Sequence, residues 1–137
     1  MFRYFIIILY SFLLSNCGIR KLEKLGVYTE VNPPEYHSYI QDSSANIVDV
    51  RTTKEYDKSH IHGALNVSYL GGHFTDKIIR LELDKDKTIL IYCETQHRSL
   101  FVVKKLYRLG FKKIIDLNKG MMYWRKLGFP YEPLPAN

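Results

Sequence analysis

The 137-residue sequence predicts an α/β domain with a central, mostly parallel five-stranded sheet flanked by helices. Short apolar runs rich in β-branched residues recur along the chain, as in buried strands. They alternate with stretches whose apolar residues fall at helical spacing, the arrangement from which parallel sheets are wound. One run, Thr88–Tyr92, leads into Cys93, a short loop and an amphipathic helix. Ligands bind at the carboxyl ends of strands in such sheets, so this loop is the first place to look for chemistry.

The chain begins with an address. One basic residue, Arg3, precedes an apolar stretch from Tyr4 to Leu14, too short for the ~20 residues that cross a bilayer but suited to a signal-peptide core. It ends in Leu14-Ser15-Asn16-Cys17, which resembles a bacterial lipoprotein signal, with Asn16 where a small residue is usual. That resemblance implies lipidation of Cys17, cleavage of residues 1–16 and an extracytoplasmic, membrane-anchored protein. An uncleaved anchor would instead leave Arg20, Lys21 and Lys24 outside against Arg3 inside, counter to the positive-inside tendency. Residues 1–17 are therefore read as signal, 18–27 as a basic tether, 28–132 as the domain and 133–137 as a tail.

Within the domain, Val27 to Val31 forms a first strand. Asn32 before Pro33-Pro34 is a helix start, a capping residue followed by proline at the first helical position. Tyr36, Tyr39 and Ile40 supply that helix's apolar face. Asn46–Arg51 is a buried strand, Thr52 and Thr53 cap a short helix through Tyr56, and Ala64–Val67 is the next strand. Ile78, Ile79 and Leu81 mark a further helix after Gly71-Gly72. Thr88–Tyr92 is the central strand, and Ser99–Leu109 a helix with Val102, Val103, Leu106 and Leu109 on one face. Gly110 ends it. Lys113–Leu117 is the last strand, and Met121–Leu127 the last helix, with Trp124 in the core.

The charge of +6 is scattered and forms no block of like charges, so nucleic acid is not an expected partner. Of the two cysteines neither lies in a CxxC pair, and no Cys/His cluster has zinc-like spacing. No metal and no cofactor are expected.

Cys93 is the candidate nucleophile. A free thiol loses its proton near pH 8.5, and helix N-termini or nearby cations lower that value. The loop after Cys93 offers both, through N–H groups at the start of the following helix and through Arg98. The same groups would cradle an oxyanion beside the sulfur, and Ser99 is placed to cap the helix or to donate to the sulfur. Two chemistries fit: transfer of a sulfane sulfur through a cysteine persulfide, and phosphoryl or arsenate chemistry.

The loop Cys93-Glu94-Thr95-Gln96-His97-Arg98-Ser99 resembles the C-x-x-G-x-R-S pattern of single-domain rhodanese-like sulfurtransferases. Asp49-Val50-Arg51, Glu55-Tyr56 and His60-Ile61-His62-Gly63-Ala64-Leu65-Asn66-Val67 resemble the family's D-V-R…E-[YF]…G-H-I-P-G-A-x-N-[IV] signature. Gly110-Phe111, Leu117, Gly120, Trp124 and Gly128 resemble its C-terminal one. The resemblance implies a three-layer rhodanese-like fold, with Cys93 carrying the persulfide. It places Arg98 at the anionic end of the sulfur donor and Glu94, Thr95, Gln96, His97 and Ser99 in the binding loop. Asp49, Arg51 and Glu55 become one supporting set behind the site, and His60 a structural histidine.

Three positions depart from the pattern. Gln96 stands for glycine, so either it carries a strain of about 1–2 kcal/mol in a positive-φ position or the loop adopts another shape. Glu94 adds negative charge beside an anion site, and His62 replaces proline. Four residues separate Cys93 from Arg98, as in the sulfurtransferases; the related phosphatase and arsenate-reductase loops are one residue longer and usually have histidine where this chain has Tyr92. A third reading, a low-turnover sulfur-carrier or protein-binding module, is favoured by Gln96 and Glu94. The implied partners are a small anionic sulfur donor and an external thiol, cyanide or protein acceptor. With Cys17 lipidated, Cys93 is left as a lone, exposed thiol, open to over-oxidation.

Overall fold

The computed structural model describes residues 18–42 and 44–132. The signal-type segment with Cys17 and the 133–137 tail lie outside the described residues. Helix α1 is described from residue 18 to 24, and the remaining elements follow in order: β1 (Tyr28–Val31), α2 (Pro33–Ile40), β2 (Asn46–Asp49), α3 (Thr53–Lys58), β3 (Leu65–Asn66), α4 (Phe74–Arg80), β4 (Ile89–Tyr92), α5 (His97–Arg108), β5 (Ile114–Leu117) and α6 (Gly120–Lys126).

Local chemistry sets several of the boundaries. Asn32 caps α2 by accepting from the Glu35 N–H at 3.0 Å. Thr52 and Glu55 close a reciprocal capping box on α3, which satisfies two donors that a helix start leaves orphaned. β3 keeps only two residues, because Ala64 and Val67 flank rather than extend the pairing with Val48 and Asp49.

The five strands pair in parallel in the order β1-β5-β4-β2-β3, which puts β4 in the middle with every residue buried. Alternation along β4 sorts its side chains into two cores, as the two-residue period of a strand requires. Ile89, Ile91 and Cys93 join Val102, Val103 and Leu106 of α5 and Ile114 of β5 on one face. Leu90 and Tyr92 join Tyr36, Ile115, Leu117, Met121 and Trp124 on the other. Each fully buried aliphatic or aromatic side chain contributes ~1.5–3 kcal/mol, so these layers hold α5 and α6 firmly at the carboxyl ends of β4 and β5.

The expected tether is partly a packed helix. Leu22 of α1 is buried in the α5-side core and Ile19 packs beside it, because the two lie three positions apart on one helical face. The expected strands and helices otherwise occur where the sequence places them. Among the described residues no helix is long and apolar enough to cross a membrane, and no cluster of His, Cys, Asp and Glu could hold a metal ion.

Candidate active site

Cys93 follows the last residue of β4, and its side chain points into the α5-side core. It is fully buried rather than exposed, because the loop and α5 close over it. Its Sγ lies 3.8 Å from Ser99 Oγ. Ser99 is the third residue of α5 and not its cap; the cap position belongs to Gln96, whose side chain makes no capping bond.

The loop is shaped from outside by α6. The N–H groups of Met121 and Met122, at the start of that helix, donate to the carbonyls of Cys93 at 2.8 Å and Glu94 at 3.1 Å. A trans peptide holds its N–H opposite its carbonyl, so the N–H groups of Glu94 and Thr95 point away from α6. The first N–H groups of α5 also lack intrahelical partners. Backbone N–H groups of this kind at a loop and helix start are the donors that bind anions. Gly120 is what lets α6 approach so closely: a Cβ there would sit 2.3 Å from the Cys93 carbonyl oxygen, and its φ is +62°. Of the two alternatives at Gln96 the strained one occurs: its backbone is left-handed, φ 73° and ψ −16°, and its Oε1 accepts from the Lys119 N–H at 3.1 Å. Thr95 and His97 lie at the loop's outer rim, with Thr95 Oγ1 3.1 Å from His97 Nδ1.

The charged residues do not sit as the resemblance implies. Arg98 is placed by sequence against the donor, but its two terminal nitrogens are held by Glu55 at 2.7 and 2.8 Å. A carboxylate facing a guanidinium fork makes a strong bidentate pair, and Arg98 is held in one. Hydrogen bonds from Arg98, aided by Thr52, hold the Glu55 carboxyl down at about 2 despite partial burial.

Asp49, Arg51 and Glu55 therefore form not one set but two. Arg51, 1% exposed, binds Asp49 through Nε and Nη2, donates to the Ser59 carbonyl, and reaches Glu94 through Nη1 at 2.9 Å. Burial opposes its charge, but the Asp49 carboxylate more than offsets that and keeps it protonated. Glu94 is gripped from the other side by Arg125 of α6. Its charge, expected to disfavour anions, is thus paired with two guanidinium groups, one of them shared with Asp49. His60 stacks on Tyr56 with ring centroids 3.9 Å apart, and its Nδ1 is 3.1 Å from the Tyr56 carbonyl oxygen. His62 pairs with Glu132 at the surface.

Two residues that the sequence reading missed complete the site. Arg125 carried no signal beyond its place next to Trp124. Asp116 did carry one: a carboxylate inside the apolar run Ile114–Leu117. It is fully buried, accepting from Ser99 Oγ at 2.8 Å and Tyr28 Oη at 3.3 Å. Burial, reinforced by the nearby Glu30 charge, pushes its carboxyl up to about 8 against those hydrogen bonds.

Comparison with known proteins bears on the family and the fold. The family model described as Rhodanese-like domain matches residues 32–127. A protein of Bacillus subtilis (strain 168) named as sulfur carrier protein YrkF is 37% identical over 83 residues, 61% of this chain and 43% of that protein. Thiosulfate sulfurtransferase GlpE of Actinobacillus pleuropneumoniae is 27% identical over 108 residues, 77% of this chain and 94% of the relative. The chain thus spans under half of YrkF, and likewise 42% of a similar tRNA uridine(34) hydroxylase from Legionella pneumophila. The crystal structure of the BH2092 protein from Bacillus halodurans superposes with a TM-score of 0.67 at 24% identity, covering 87% of this chain and 85% of that one.

Proposed function

The chain belongs to the rhodanese-like domain family, and from that premise we propose that it is a sulfurtransferase working through a persulfide on Cys93. The observation that carries the reading is the loop itself. Cys93 sits just past the end of the central strand and beside the start of α5, in a loop whose Cys93 and Glu94 carbonyls are bound by α6, which turns the Glu94 and Thr95 N–H groups away from that helix. Relatives named for thiosulfate sulfur transfer and for sulfur carriage support the same chemistry.

In the proposed reaction the Cys93 thiolate attacks the sulfane sulfur of thiosulfate or of a persulfide. The new S–S bond forms as the donor's S–S bond breaks, and sulfite or a thiolate leaves with the electron pair. Charge is conserved, so the loop's N–H groups stabilise an anion throughout. An external thiophile then attacks the outer sulfur and regenerates the thiolate. Among the described residues Cys93 is the one free thiol, so the acceptor is a small thiol, cyanide or a partner protein.

The full burial of Cys93 and the Glu55 grip on Arg98 favour a second reading, a carrier that holds sulfur and turns over slowly. Thiocyanate production from thiosulfate and cyanide distinguishes them. The enzyme reading expects multiple turnovers abolished by Cys93→Ser. A single turnover supports the carrier. No thiocyanate, together with hydrolysis of an aryl phosphate, would move the site to phosphatase chemistry.

We also propose that Cys17 is lipidated and that the domain works at a membrane surface on the extracytoplasmic side. The apolar stretch before Cys17 supports this, as does the basic Arg20, Lys21 and Lys24 after it. Cys17→Ala should release the protein from the membrane fraction; an unchanged distribution removes the proposal.

A further inference from the structure

We propose that Asp116 is a positioning residue for Cys93, the two sharing one proton through the hydroxyl of Ser99. The inference rests on the reading of Cys93 as the nucleophile and adds the group that manages its proton. Cys93 Sγ is 3.8 Å from Ser99 Oγ, and Ser99 Oγ is 2.8 Å from Asp116 Oδ2. All three residues are fully buried, and the second carboxylate oxygen, Oδ1, has no hydrogen-bond partner among the described residues.

A hydroxyl offers one donor and accepts at its lone pairs, so the chain can run in either direction. In one state the Cys93 S–H donates to Ser99 Oγ, and Ser99 O–H donates to ionised Asp116. In the other the S–H bond has broken and its proton has passed to Ser99 Oγ, while the Ser99 proton has passed to Asp116 Oδ2. The neutral carboxyl then donates to Ser99, and Ser99 donates to the thiolate. No charge is created, no oxidant is consumed, and the buried pair keeps a net charge of one negative unit. The Gln96 carbonyl, also 2.8 Å from the Ser99 hydroxyl, competes for its proton and fixes its position.

Other groups facing Asp116 are Tyr28 and Glu30 of β1, Tyr36 of α2 and the Gln96 amide at the start of α5. None is a cation, so no ion pair compensates the burial, and a carboxyl pushed up to about 8 exchanges a proton readily with a thiol. The consequence is electrostatic. With its proton on Asp116, the thiolate can receive an anionic donor without an ionised carboxylate behind it.

The test couples two titrations. The rate of Cys93 alkylation by iodoacetamide is followed against pH in the wild type and in Asp116→Asn. The Asp116 carboxyl carbon is followed by NMR in the wild type and in Cys93→Ala. A shared proton predicts a wild-type alkylation curve broader than a one-proton titration, narrowing to one proton in Asp116→Asn. It also predicts a shift of the Asp116 midpoint by about half a pH unit or more in Cys93→Ala. Superimposable alkylation curves, or an Asp116 midpoint indifferent to Cys93→Ala, would overturn it. If Asp116→Asn fails to fold, the NMR comparison decides alone. Sulfur release to cyanide is measured separately. Its absence beside coupled titrations overturns the transferase reading only, and normal release beside uncoupled titrations overturns the shared proton only.

Discussion

Gln96 offers a test of the loop in which the usual ranking of two small residues inverts. Its φ of 73° is left-handed, a conformation that costs a non-glycine residue about 1–2 kcal/mol. The side chain returns part of that through the 3.1 Å bond from the Lys119 N–H, about 1 kcal/mol. Gln96→Gly removes the strain and loses the bond. It also frees the unfolded chain by about 0.5–1 kcal/mol, so the net change falls close to zero. Gln96→Ala loses the bond and keeps the strain, a loss of about 1 kcal/mol. Glycine should therefore be more stable than alanine here by about 1 kcal/mol, whereas alanine wins at sites with ordinary φ. Urea unfolding of the three proteins reads this directly, and in a domain of this size the difference appears as a melting shift of about 4 °C. An alanine variant as stable as the glycine one would refute a strained loop.

Other substitutions probe the supports of the site. Gly120→Ala drives a Cβ to 2.3 Å from the Cys93 carbonyl and keeps a positive φ, so it should cost about 2–4 kcal/mol in denaturant unfolding and disturb Cys93 chemistry. Asp116 is protonated in the fold up to about 8 but would ionise near 3.8 unfolded, so the native state binds the extra proton and its contribution is lost as pH rises through that window. The stability of Asp116→Asn relative to wild type should then rise with pH by at most about 1.4 kcal/mol per unit between about 5 and 7, measured by unfolding at each pH. Glu55 has the opposite sign. Its carboxyl, held at about 2 against a usual 4.5, contributes stability at neutral pH that is lost as pH falls between those values. Glu55→Gln should lack that acid limb, an effect of about 1 kcal/mol once solvent screening is allowed for.

The fold was legible because its signals are local. Caps at Asn32 and Thr52, β-branched runs and the apolar face of α5 each name an element without knowledge of its neighbours. The departure at Gln96 marked where the loop would be strained or reshaped, and only the backbone itself, left-handed there, decides between the two. What the sequence hid depends on contacts between distant segments. Arg98 turns to Glu55, 43 positions away, and Glu94 shares Arg51 with Asp49 and is also paired by Arg125, from two distant segments. The α6 clamp on the Cys93 carbonyl is backbone chemistry, which leaves no side-chain pattern except the glycine that permits it. Leu22 joined the core for the same reason: a basic stretch reads as tether until its apolar residues find a groove.

Intact-protein mass spectrometry after thiosulfate treatment reads persulfide formation on Cys93 itself. Cys93 should gain one sulfur atom, removed by cyanide and absent from Cys93→Ser. A Cys93 that stays unmodified while the protein remains folded would contradict the persulfide mechanism.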